Sequence, residues 1–378
     1  MHVGLNLIFL VPGYTGGTET YARELIPELV SAAPEARFTA FVSREAAADT
    51  SAPWNSVIES VTVPVQARQR VEWVRGEQFL LPRLAAQVGV DLVHSLANTA
   101  PGWGRFRRLV TIQDLHHRLV PEAHHGALAL GMRALVSLAA RRSDRVLSPS
   151  AATAADLQRM LGIGPERIDI VPLGIGTTAR TKAVAASELH VKLGLDTRPI
   201  VLCVAAKRAH KNLARLIAAV ARLAPERRPQ LVLAGYVTPH QTELRRRATQ
   251  LGVSDDVRFV DWVPERELEG LYQAAAAFVL PSLHEGFGLP VLEAMARGVP
   301  VACSAHGALA EVAGDAALTF LPESEEEIAA AIVRLLDDPA LAQRLREAGK
   351  RRAAEFSWAA CARGTLASYE RTLRARSE

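Results

Sequence analysis

The stretch that decides the fold of this chain is Pro281-Ser282-Leu283-His284-Glu285-Gly286-Phe287-Gly288-Leu289-Pro290-Val291-Leu292-Glu293-Ala294-Met295-Ala296. The short apolar run Ala276-Ala277-Phe278-Val279-Leu280 precedes it and predicts a buried strand. Gly286 and Gly288 permit backbone angles and close approaches that a side chain would forbid. Pro290 suits the first turn of a helix, so the stretch predicts a strand, a glycine loop and a helix.

This glycine loop has the chemistry of an anion site. The free N–H groups at a helix start point toward such a loop, and the helix dipole favours an anion such as a diphosphate. Glu285 and Glu293 bracket the loop with seven residues between them. A carboxylate inside an anion site needs another partner, and sugar hydroxyls would provide one. We therefore interpret Glu285 as a sugar contact and Glu293 as a ribose contact; a loop charge and a solvated helix residue are the alternatives, and spacing alone does not separate them.

Length and charge bound the class of protein. The chain has 378 residues, which favours two domains. Its net charge of +4 is too small to argue for a nucleic-acid partner. The cysteines Cys203, Cys303 and Cys361 lie far apart, without a C-x-x-C pair. This spacing argues against zinc and against a disulfide framework, and it fits a reducing cytoplasm.

The chain shows no sign of a membrane span or a leader. No apolar run approaches the ~20 residues that cross a bilayer. The start at Met1 lacks a basic region and a small-residue cleavage site, so the sequence predicts a first strand there rather than a signal peptide. The segment from Gln69 to Leu84 mixes arginines with apolar residues. It predicts an amphipathic basic helix, or a helix with a lead-in. This segment either faces a membrane surface or the acceptor or, as we favour, covers the sheet with its arginines in water.

A second glycine loop follows the first strand, in Pro12-Gly13-Tyr14-Thr15-Gly16-Gly17-Thr18-Glu19. A helix with a partly apolar face comes after it, so this region repeats the order of strand, loop and helix. On its own, the pair Gly16 and Gly17 would favour an ordinary tight turn. Paired with the later loop, it favours a contact with a bound anion.

The frame of two glutamates around Gly-Phe-Gly-Leu-Pro resembles the retaining, family-4-type (group 1) glycosyltransferases of the GT-B fold. The resemblance runs over nearly the whole chain. It implies an α/β protein with two Rossmann-like, doubly wound domains that face a central cleft. It also implies that backbone groups of both glycine loops contact the donor diphosphate, at Gly16 and Gly17 in the first loop and at Gly286, Phe287, Gly288 and Leu289 in the second.

The same resemblance assigns cations to the start of the second half. The strand Ile200-Val201-Leu202-Cys203-Val204 leads into a loop with several basic residues. The family has one cation after this strand and a Lys before the next helix, and together they hold the diphosphate. Lys211 matches the second, Lys207 is our choice for the first, and Arg208 is the alternative. A preorganised positive site stabilises the leaving diphosphate; solvated loop lysines are the competing interpretation.

Two further positions complete the implied donor site. The segment Val257-Arg258-Phe259-Val260-Asp261-Trp262-Val263-Pro264 predicts a strand and a turn. In the family this turn lies beside the nucleotide base. The resemblance therefore implies that Trp262 and Val263 line the base pocket.

The catalytic side of the first half departs from the family. The strand Leu109-Val110-Thr111-Ile112 is followed by Gln113-Asp114-Leu115-His116-His117-Arg118. The family has His-Asp at the first two of these positions, and Gln113 can donate a hydrogen bond but cannot take a proton. Either His116 or His117 takes over the role of the family's His, or that His serves only to bind substrate, which an amide can also do. We expect Asp114 or His116 to line the cleft; the alternative is that these histidines cap and pack.

Strands and helices alternate in both halves, which predicts doubly wound parallel sheets. We place a first, acceptor-side domain at 1–179 and a nucleotide-sugar domain at 180–356. The boundary lies near Ala179, in a stretch rich in small and polar residues. The resemblance implies that the final helix, at 357–378, returns to the first domain.

Taken together, the sequence predicts a retaining hexosyltransferase. Its donor would be a nucleoside-diphosphate sugar, of the mannose or deoxyhexose type, and its acceptor a glycan or a lipid-linked glycan. No Asp-x-Asp element occurs, so we expect no required metal and no cofactor. A cytoplasmic protein, with peripheral membrane contact through the first domain, fits this function. A non-catalytic nucleotide-sugar-binding protein and a sugar-nucleotide epimerase of the same fold are the alternatives.

Overall fold

The computed structural model describes residues 1–119, 127–176 and 182–374. The described chain forms two compact units. The first unit holds residues 1–118, 127–176 and 356–374, and the second holds Leu119 and residues 182–355. The expected boundary near Ala179 lies outside the described residues.

The first unit is built on a parallel sheet of seven strands. Its strand order is β3-β2-β1-β4-β5-β6-β7, so the direction of winding reverses between β1 and β4. Ligands of open α/β sheets bind at such a reversal, beyond the carboxyl ends of the strands. The strands are β1 (His2–Leu7), β2 (Arg37–Val42), β3 (Glu59–Thr62), β4 (Leu92–Ser95), β5 (Arg107–Thr111), β6 (Arg145–Ser148) and β7 (Ile168–Ile170).

Helices connect these strands, as parallel pairing requires. Because the sheet is covered on both faces, its strands are nearly continuous apolar runs; in β1, the residues from Val3 to Leu7 are all buried. The helices are α1 (Gly17–Ala32), α2 (Arg44–Ala47), α3 (Arg70–Arg75), α4 (Leu81–Val88), α5 (His116–Leu119), α6 (Ala127–Arg142) and α7 (Ala151–Leu161).

The second unit repeats the arrangement with six parallel strands. Its order is β10-β9-β8-β11-β12-β13, so the winding reverses between β8 and β11. The strands are β8 (Ile200–Val204), β9 (Gln230–Ala234), β10 (Val257–Val260), β11 (Ala275–Leu280), β12 (Val301–Ser304) and β13 (Leu318–Phe320). The helices are α8 (Ala186–Leu193), α9 (Leu213–Ala221), α10 (His240–Gln250), α11 (Glu265–Ala274), α12 (Leu289–Ala296), α13 (Ala308–Ala313), α14 (Glu325–Asp337) and α15 (Pro339–Ala353).

The last helix, α16 (Trp358–Arg374), belongs to the first unit and packs on α1. The Trp358 ring lies 6.1 Å from that of Tyr21, centroid to centroid. The Tyr369 hydroxyl is hydrogen-bonded to Nδ1 of buried His94 at 2.8 Å. Gly174 permits this arrangement, since a Cβ there would lie 2.1 Å from the Trp358 backbone nitrogen.

Two segments differ from the sequence-based expectation. The helix predicted over Gln69 to Leu84 is interrupted by a π-helical turn, Gly76–Leu80, between α3 and α4. At its start, a Cβ on Gly76 would lie 2.8 Å from a methyl group of Val65, so the chain packs closely there. Helix α8 lies in a stretch that showed no clear pattern. Within the described ranges, no helix combines the length and apolarity needed to cross a bilayer.

Candidate functional site

The central stretch folds as its pattern predicts. Strand β11 ends at Leu280, and α12 begins at Leu289, directly after Gly288. Gly288 has φ of 114°, and a Cβ there would lie 2.5 Å from Cδ2 of Leu309. Both the angle and the close approach require glycine at this position. Phe287 packs inward and is 5% exposed, so the loop is held against the core.

Two strand-to-helix junctions lie side by side in the second unit, because β8 and β11 are neighbours. One connects β8 to α9, and the other connects β11 to α12. The Leu283 N–H donates to the carbonyl of His210 at 2.9 Å. Asn212, at the start of α9, donates from Nδ2 to the carbonyl of Pro281 at 3.0 Å. The backbones of the two loops are therefore bound to each other at the reversal point of the sheet.

Lys211 and Glu285 join these junctions through their side chains. Nζ of Lys211 lies 2.6 Å from Oε1 of Glu285. The hydroxyl of Ser282 donates to the same oxygen at 2.6 Å. Both charged side chains retain a little exposure, 19% for Lys211 and 14% for Glu285. The structure thus brings together the two residues to which the sequence assigned diphosphate and sugar contacts.

Lys207, the cation predicted after β8, has hydrogen-bond partners within the fold. Its side chain is fully buried, and its ammonium donates to the carbonyls of Gly235 and Val260. Those carbonyls follow or end strands β9 and β10, so Lys207 ties neighbouring loops together. Burial lowers the pKa of Lys207 to about 8. Arg208, the alternative, has an exposed side chain. The diphosphate contact of either residue stays a prediction.

Glu293 is bound rather than solvated. The hydroxyl of buried Tyr272 donates to Oε2 of Glu293 at 2.8 Å. Burial, followed by the charge of Glu293, raises the pKa of Tyr272, so the phenol keeps its proton and remains a donor. Arg297 lies over the Tyr272 ring at 4.8 Å and donates to the Glu293 carbonyl at 3.0 Å. These contacts fix the Glu293 side chain on the second turn of α12.

An aromatic pair lies at the carboxyl edge of β9 and β10. The rings of Trp262 and Tyr236 stack at a centroid distance of 4.6 Å. Trp262 is 60% exposed, whereas Val263 is 9% exposed. The backbone N–H of Lys207 donates to the Tyr236 carbonyl at 3.0 Å, so this edge is connected to the loop after β8. Trp262 and Val263 were predicted from the sequence, whereas Tyr236 lies in no motif and was not.

In the first unit, the glycine loop after β1 is organised by Glu19. Gly16 precedes α1 with φ of 63°, and Gly17 is the first helical residue. Glu19 accepts a hydrogen bond from the Gly13 N–H at 2.9 Å and one from Nε of Arg23 at 2.8 Å. The sequence analysis missed Glu19. A glutamate three residues after a helix N-cap is a capping signal that would have revealed it.

The segment after β5 holds the predicted catalytic side chains of the first unit. Nδ1 of His116 forms a short contact with Oδ1 of Asp114, whose oxygen also accepts from the His116 N–H at 3.2 Å. Nε2 of Gln113 is buried and has no hydrogen-bond partner among the described residues. The side chain of His117 lies outside the described part. Asp114 and His116 therefore contact each other through hydrogen bonds, and their catalytic roles stay predictions.

A buried carboxyl in the first unit escaped the sequence analysis. Glu77, in the π-helical turn, is 1% exposed. Burial raises the pKa of Glu77 to about 7, although hydrogen bonds from Thr99, Asn6 and Gln78 act in the opposite direction. Across the described ranges, no group of three or more His, Cys, Asp or Glu side chains is arranged to hold a metal ion.

Two family models match the chain, one in each half. The model described as Glycosyltransferase Family 4 matches residues 15–179. The model described as Glycosyl transferases group 1 matches residues 186–352. Together they cover Gly16 and Gly17 of the first glycine loop, the whole second loop and the paired junctions of the second unit.

Two relatives carry mannosyltransferase names. MMP alpha-(1->4)-mannosyltransferase of Mycolicibacterium hassiacum is 36% identical over 62% of this chain and 56% of its own length. O-antigen chain mannosyltransferase B of Escherichia coli is 31% identical over 70% of each chain. The chain thus spans little more than half of the first relative and over two thirds of the second.

Solved structures match along almost the entire chain. Sucrose-phosphate synthase from Thermosynechococcus elongatus has a TM-score of 0.79 and 25% identity, covering 99% of this chain and 100% of its own. HepE of Anabaena, solved with UDP-glucose, has a TM-score of 0.75 and 19% identity, covering 100% of this chain and 99% of its own. The second likeness is one of fold alone.

Proposed function

The chain belongs to the group 1 glycosyltransferases, and we propose that it transfers a hexose from a nucleoside-diphosphate sugar to a glycan or lipid-linked acceptor, with retention of anomeric configuration. The family resemblance and the α/β GT-B fold class predicted from the sequence are confirmed by the parallel sheets and the structural neighbours. The donor, the acceptor and the stereochemistry are the parts that we propose.

The contact between Lys211 and Glu285 carries the proposal. It places a cation and a carboxylate from different junctions within 2.6 Å, beside the start of α12. Breaking a sugar–phosphate bond leaves negative charge on the diphosphate, which Lys211 and the amides from Gly286 to Leu289 would stabilise. In this arrangement Glu285 binds sugar hydroxyls and Glu293 binds the ribose.

Names of similar proteins support the donor class. HepE was solved with UDP-glucose, and two relatives are named mannosyltransferases. We extend these to a nucleoside-diphosphate hexose, with a mannose- or deoxyhexose-type sugar as the first choice. Trp262 and Val263 would line the base, and Gly16 and Gly17 would contribute backbone groups on the side of the first unit.

The proposed chemistry uses neither a metal nor a cofactor, and no protein nucleophile. The bond between the sugar C1 and the phosphate oxygen breaks, and the acceptor hydroxyl forms its bond to C1 on the same face. The hydroxyl proton passes to the leaving phosphate oxygen. Asp114 and His116 orient the sugar and the acceptor, and the Gln113 amide donates a hydrogen bond in place of the family's His.

Exposed apolar side chains support a lipid-linked acceptor for the first unit. Phe79 is 54% exposed and Trp103 is 45% exposed, and Nε1 of Trp103 donates to the carbonyl of Gln78 at 2.7 Å. The exposed residues Arg75 and Arg83 lie on either side of Phe79 in the sequence. Basic and apolar groups together favour the interface of an anionic membrane. Sedimentation with phosphatidylglycerol vesicles, compared with phosphatidylcholine vesicles, tests this contact.

Gln113 favours a second candidate, a nucleotide-sugar-binding protein without turnover, because an amide cannot accept a proton. The deciding experiment incubates the purified protein with labelled GDP-mannose and UDP-glucose, with and without methyl mannoside or D-inositol 3-phosphate. Release of nucleoside diphosphate that depends on an acceptor supports the transferase. Binding without release would support the second candidate. A changed sugar without an acceptor would indicate an epimerase.

A further inference from the structure

A buried polar network lies at the winding reversal of the first unit. Glu77 accepts hydrogen bonds at Oε1 from Nδ2 of Asn6 at 3.0 Å and from the hydroxyl of Thr99 at 2.9 Å. Asn6 also donates to the hydroxyl of Ser95 at 3.1 Å. Asn6 and Ser95 lie near the ends of β1 and β4, so Glu77 and Asn6 together connect both strands to the loop after β4. Each of these four side chains is at most 2% exposed.

Gln78 is the next residue of the π-helical turn, and its side chain binds the backbone of the same loop. Its Nε2 donates to the carbonyl of Ala100 at 2.9 Å, and its Oε1 accepts from the Gly102 N–H at 3.0 Å. The amide thus pairs with the loop as a strand would. π-Helical turns occur frequently at functional sites, and here the turn directs two consecutive polar side chains onto one loop.

The loop that these contacts hold places Asn98 at the end of β5. Asn98 has φ of 46°, in the left-handed region that asparagine tolerates better than most residues. Its N–H donates to the carbonyl of Thr111 at 2.9 Å. Its side-chain Oδ1 accepts from the Gln113 N–H at 2.6 Å. One residue therefore binds the backbone on both sides of Ile112 and fixes where the chain leaves the sheet.

We propose that Asn98 is a positioning residue for the Gln113–Asp114 segment, and that Glu77 acts behind it through Thr99. The inference rests on the proposed function, which assigns this segment to the sugar and the acceptor. Gln113 is the residue that departs from the family, and its side-chain nitrogen is buried without a partner among the described residues. Its direction is thus set by its backbone, which Asn98 holds.

Glycine and aspartate at position 98 separate this role from a general effect on folding. Asn98→Gly keeps the left-handed backbone accessible and removes only the acceptor of the Gln113 N–H. Asn98→Asp keeps an acceptor oxygen and also tolerates a positive φ. At Thr99, valine removes the hydroxyl that Glu77 binds, and serine keeps it. Each pair therefore contains a loss and its matched rescue.

We expect Asn98→Gly to lower kcat by roughly 10- to 100-fold, since small displacements of a positioned group have effects of this size. The Kd for nucleoside diphosphate should stay unchanged, because the residues assigned to it lie in the second unit and at Gly16 and Gly17, outside the Gln113–Asp114 segment. Asn98→Asp should recover most of kcat. Thr99→Val should lower kcat less than Asn98→Gly does, and Thr99→Ser should match the wild type.

Amide hydrogen exchange gives a readout that does not depend on turnover. The Gln113 amide should exchange faster in Asn98→Gly than in wild type or Asn98→Asp, with the strand β5 itself unaffected. Unchanged exchange at Gln113, full kcat in Asn98→Gly, or equal losses in the glycine and aspartate variants would each overturn the proposal. A wild-type protein without turnover would refute the proposed function instead, while exchange at Gln113 would still decide whether Asn98 holds this segment.

Discussion

The two glycine loops share one sequence pattern, a strand, glycines, a helix and a glutamate, yet their carboxylates have different partners. In the first unit, Glu19 binds the Gly13 N–H and Arg23, which lie six and four residues away. In the second unit, Glu285 binds Lys211, which is 74 residues away and belongs to the other junction. The first carboxylate completes its own loop, whereas the second connects two loops.

The origin of the partner indicates what each charge does. A local pair can form as soon as its helix forms, and it stiffens a turn. A pair between two junctions exists only when the sheet is complete, and a bound anion can compete for its cation. We therefore expect Glu19 to act mainly on stability and Glu285 with Lys211 to act mainly on the reaction.

The largest effect is expected at the pair between junctions. Lys211→Met should lower kcat/KM by about 100- to 1,000-fold, because it removes a fixed cation from the leaving diphosphate. Initial rates of nucleoside diphosphate release measure this. Lys192→Met is the matched control: Lys192 pairs with Glu267 at 2.5 Å on helices α8 and α11 of the same unit, and neither residue belongs to either loop. Equal rates in the two variants would contradict the assignment of Lys211.

Lys207 sharpens the comparison within its own loop, because its charge is buried. Its pKa is lowered from 10.5 to about 8 by burial. Between these values the unfolded chain binds more protons than the folded one, so stability should rise with pH from about 8 to 10.5. The gain is at most about 3 kcal/mol, at 1.36 kcal/mol per pH unit.

Urea unfolding of the wild type and of Lys207→Met across this range measures the difference between them, in which other titrating groups cancel. The free energy of unfolding of the wild type should increase relative to that of the variant as pH rises. A constant difference would mean that the ammonium is not held in the buried position. Added UDP that raised stability most below pH 8 would further support a phosphate contact for Lys207.

The sequence was most informative where function and local backbone geometry coincide. Gly288 and Pro290 predicted where α12 begins because both act through their own backbone angles. Lys207 and Lys211 look alike in sequence, and only the tertiary structure shows that the first is fully buried whereas the second keeps some exposure and pairs with Glu285. The difference in burial between the two side chains depends on the conformation of a short loop. The periodicity of apolar residues does not predict that conformation.

Long-range hydrogen bonds account for the rest of what was missed. Glu77 lies in an amphipathic pattern that predicts a helix, yet its partners Asn6 and Thr99 lie 71 and 22 residues away. Burying a carboxyl group requires such donors, and a pattern of apolar residues contains no sign of them. The π-helical turn that directs Glu77 inward could not be predicted for the same reason.

The loops also differ in how much space surrounds their glycines. A Cβ on Gly288 would lie 2.5 Å from Cδ2 of Leu309, whereas a Cβ on Gly17 would meet no atom within 4 Å. Gly288→Ala should lower the free energy of unfolding by about 2–3 kcal/mol, from the positive φ and overpacking together. Gly17→Ala should change it by less than about 0.5 kcal/mol. Guanidinium unfolding measures both, and similar losses would refute the distinction.

A smaller loss of stability than at Gly288 is expected at the local carboxylate. Glu19→Ala leaves the Gly13 N–H and part of Arg23 without their acceptor, and Arg23 keeps Asp49 as a partner. We expect a loss of about 1–2 kcal/mol, typical of a hydrogen bond to a charged group. Glu19→Gln retains an acceptor for Gly13 and should lose about half as much. Glu285→Gln should show the opposite balance, with a large loss of turnover and a small loss of stability. Glu19→Ala could instead slow turnover as strongly as Glu285→Gln without lowering stability. The two carboxylates would then serve the same purpose, and a local or a distant partner would not distinguish them.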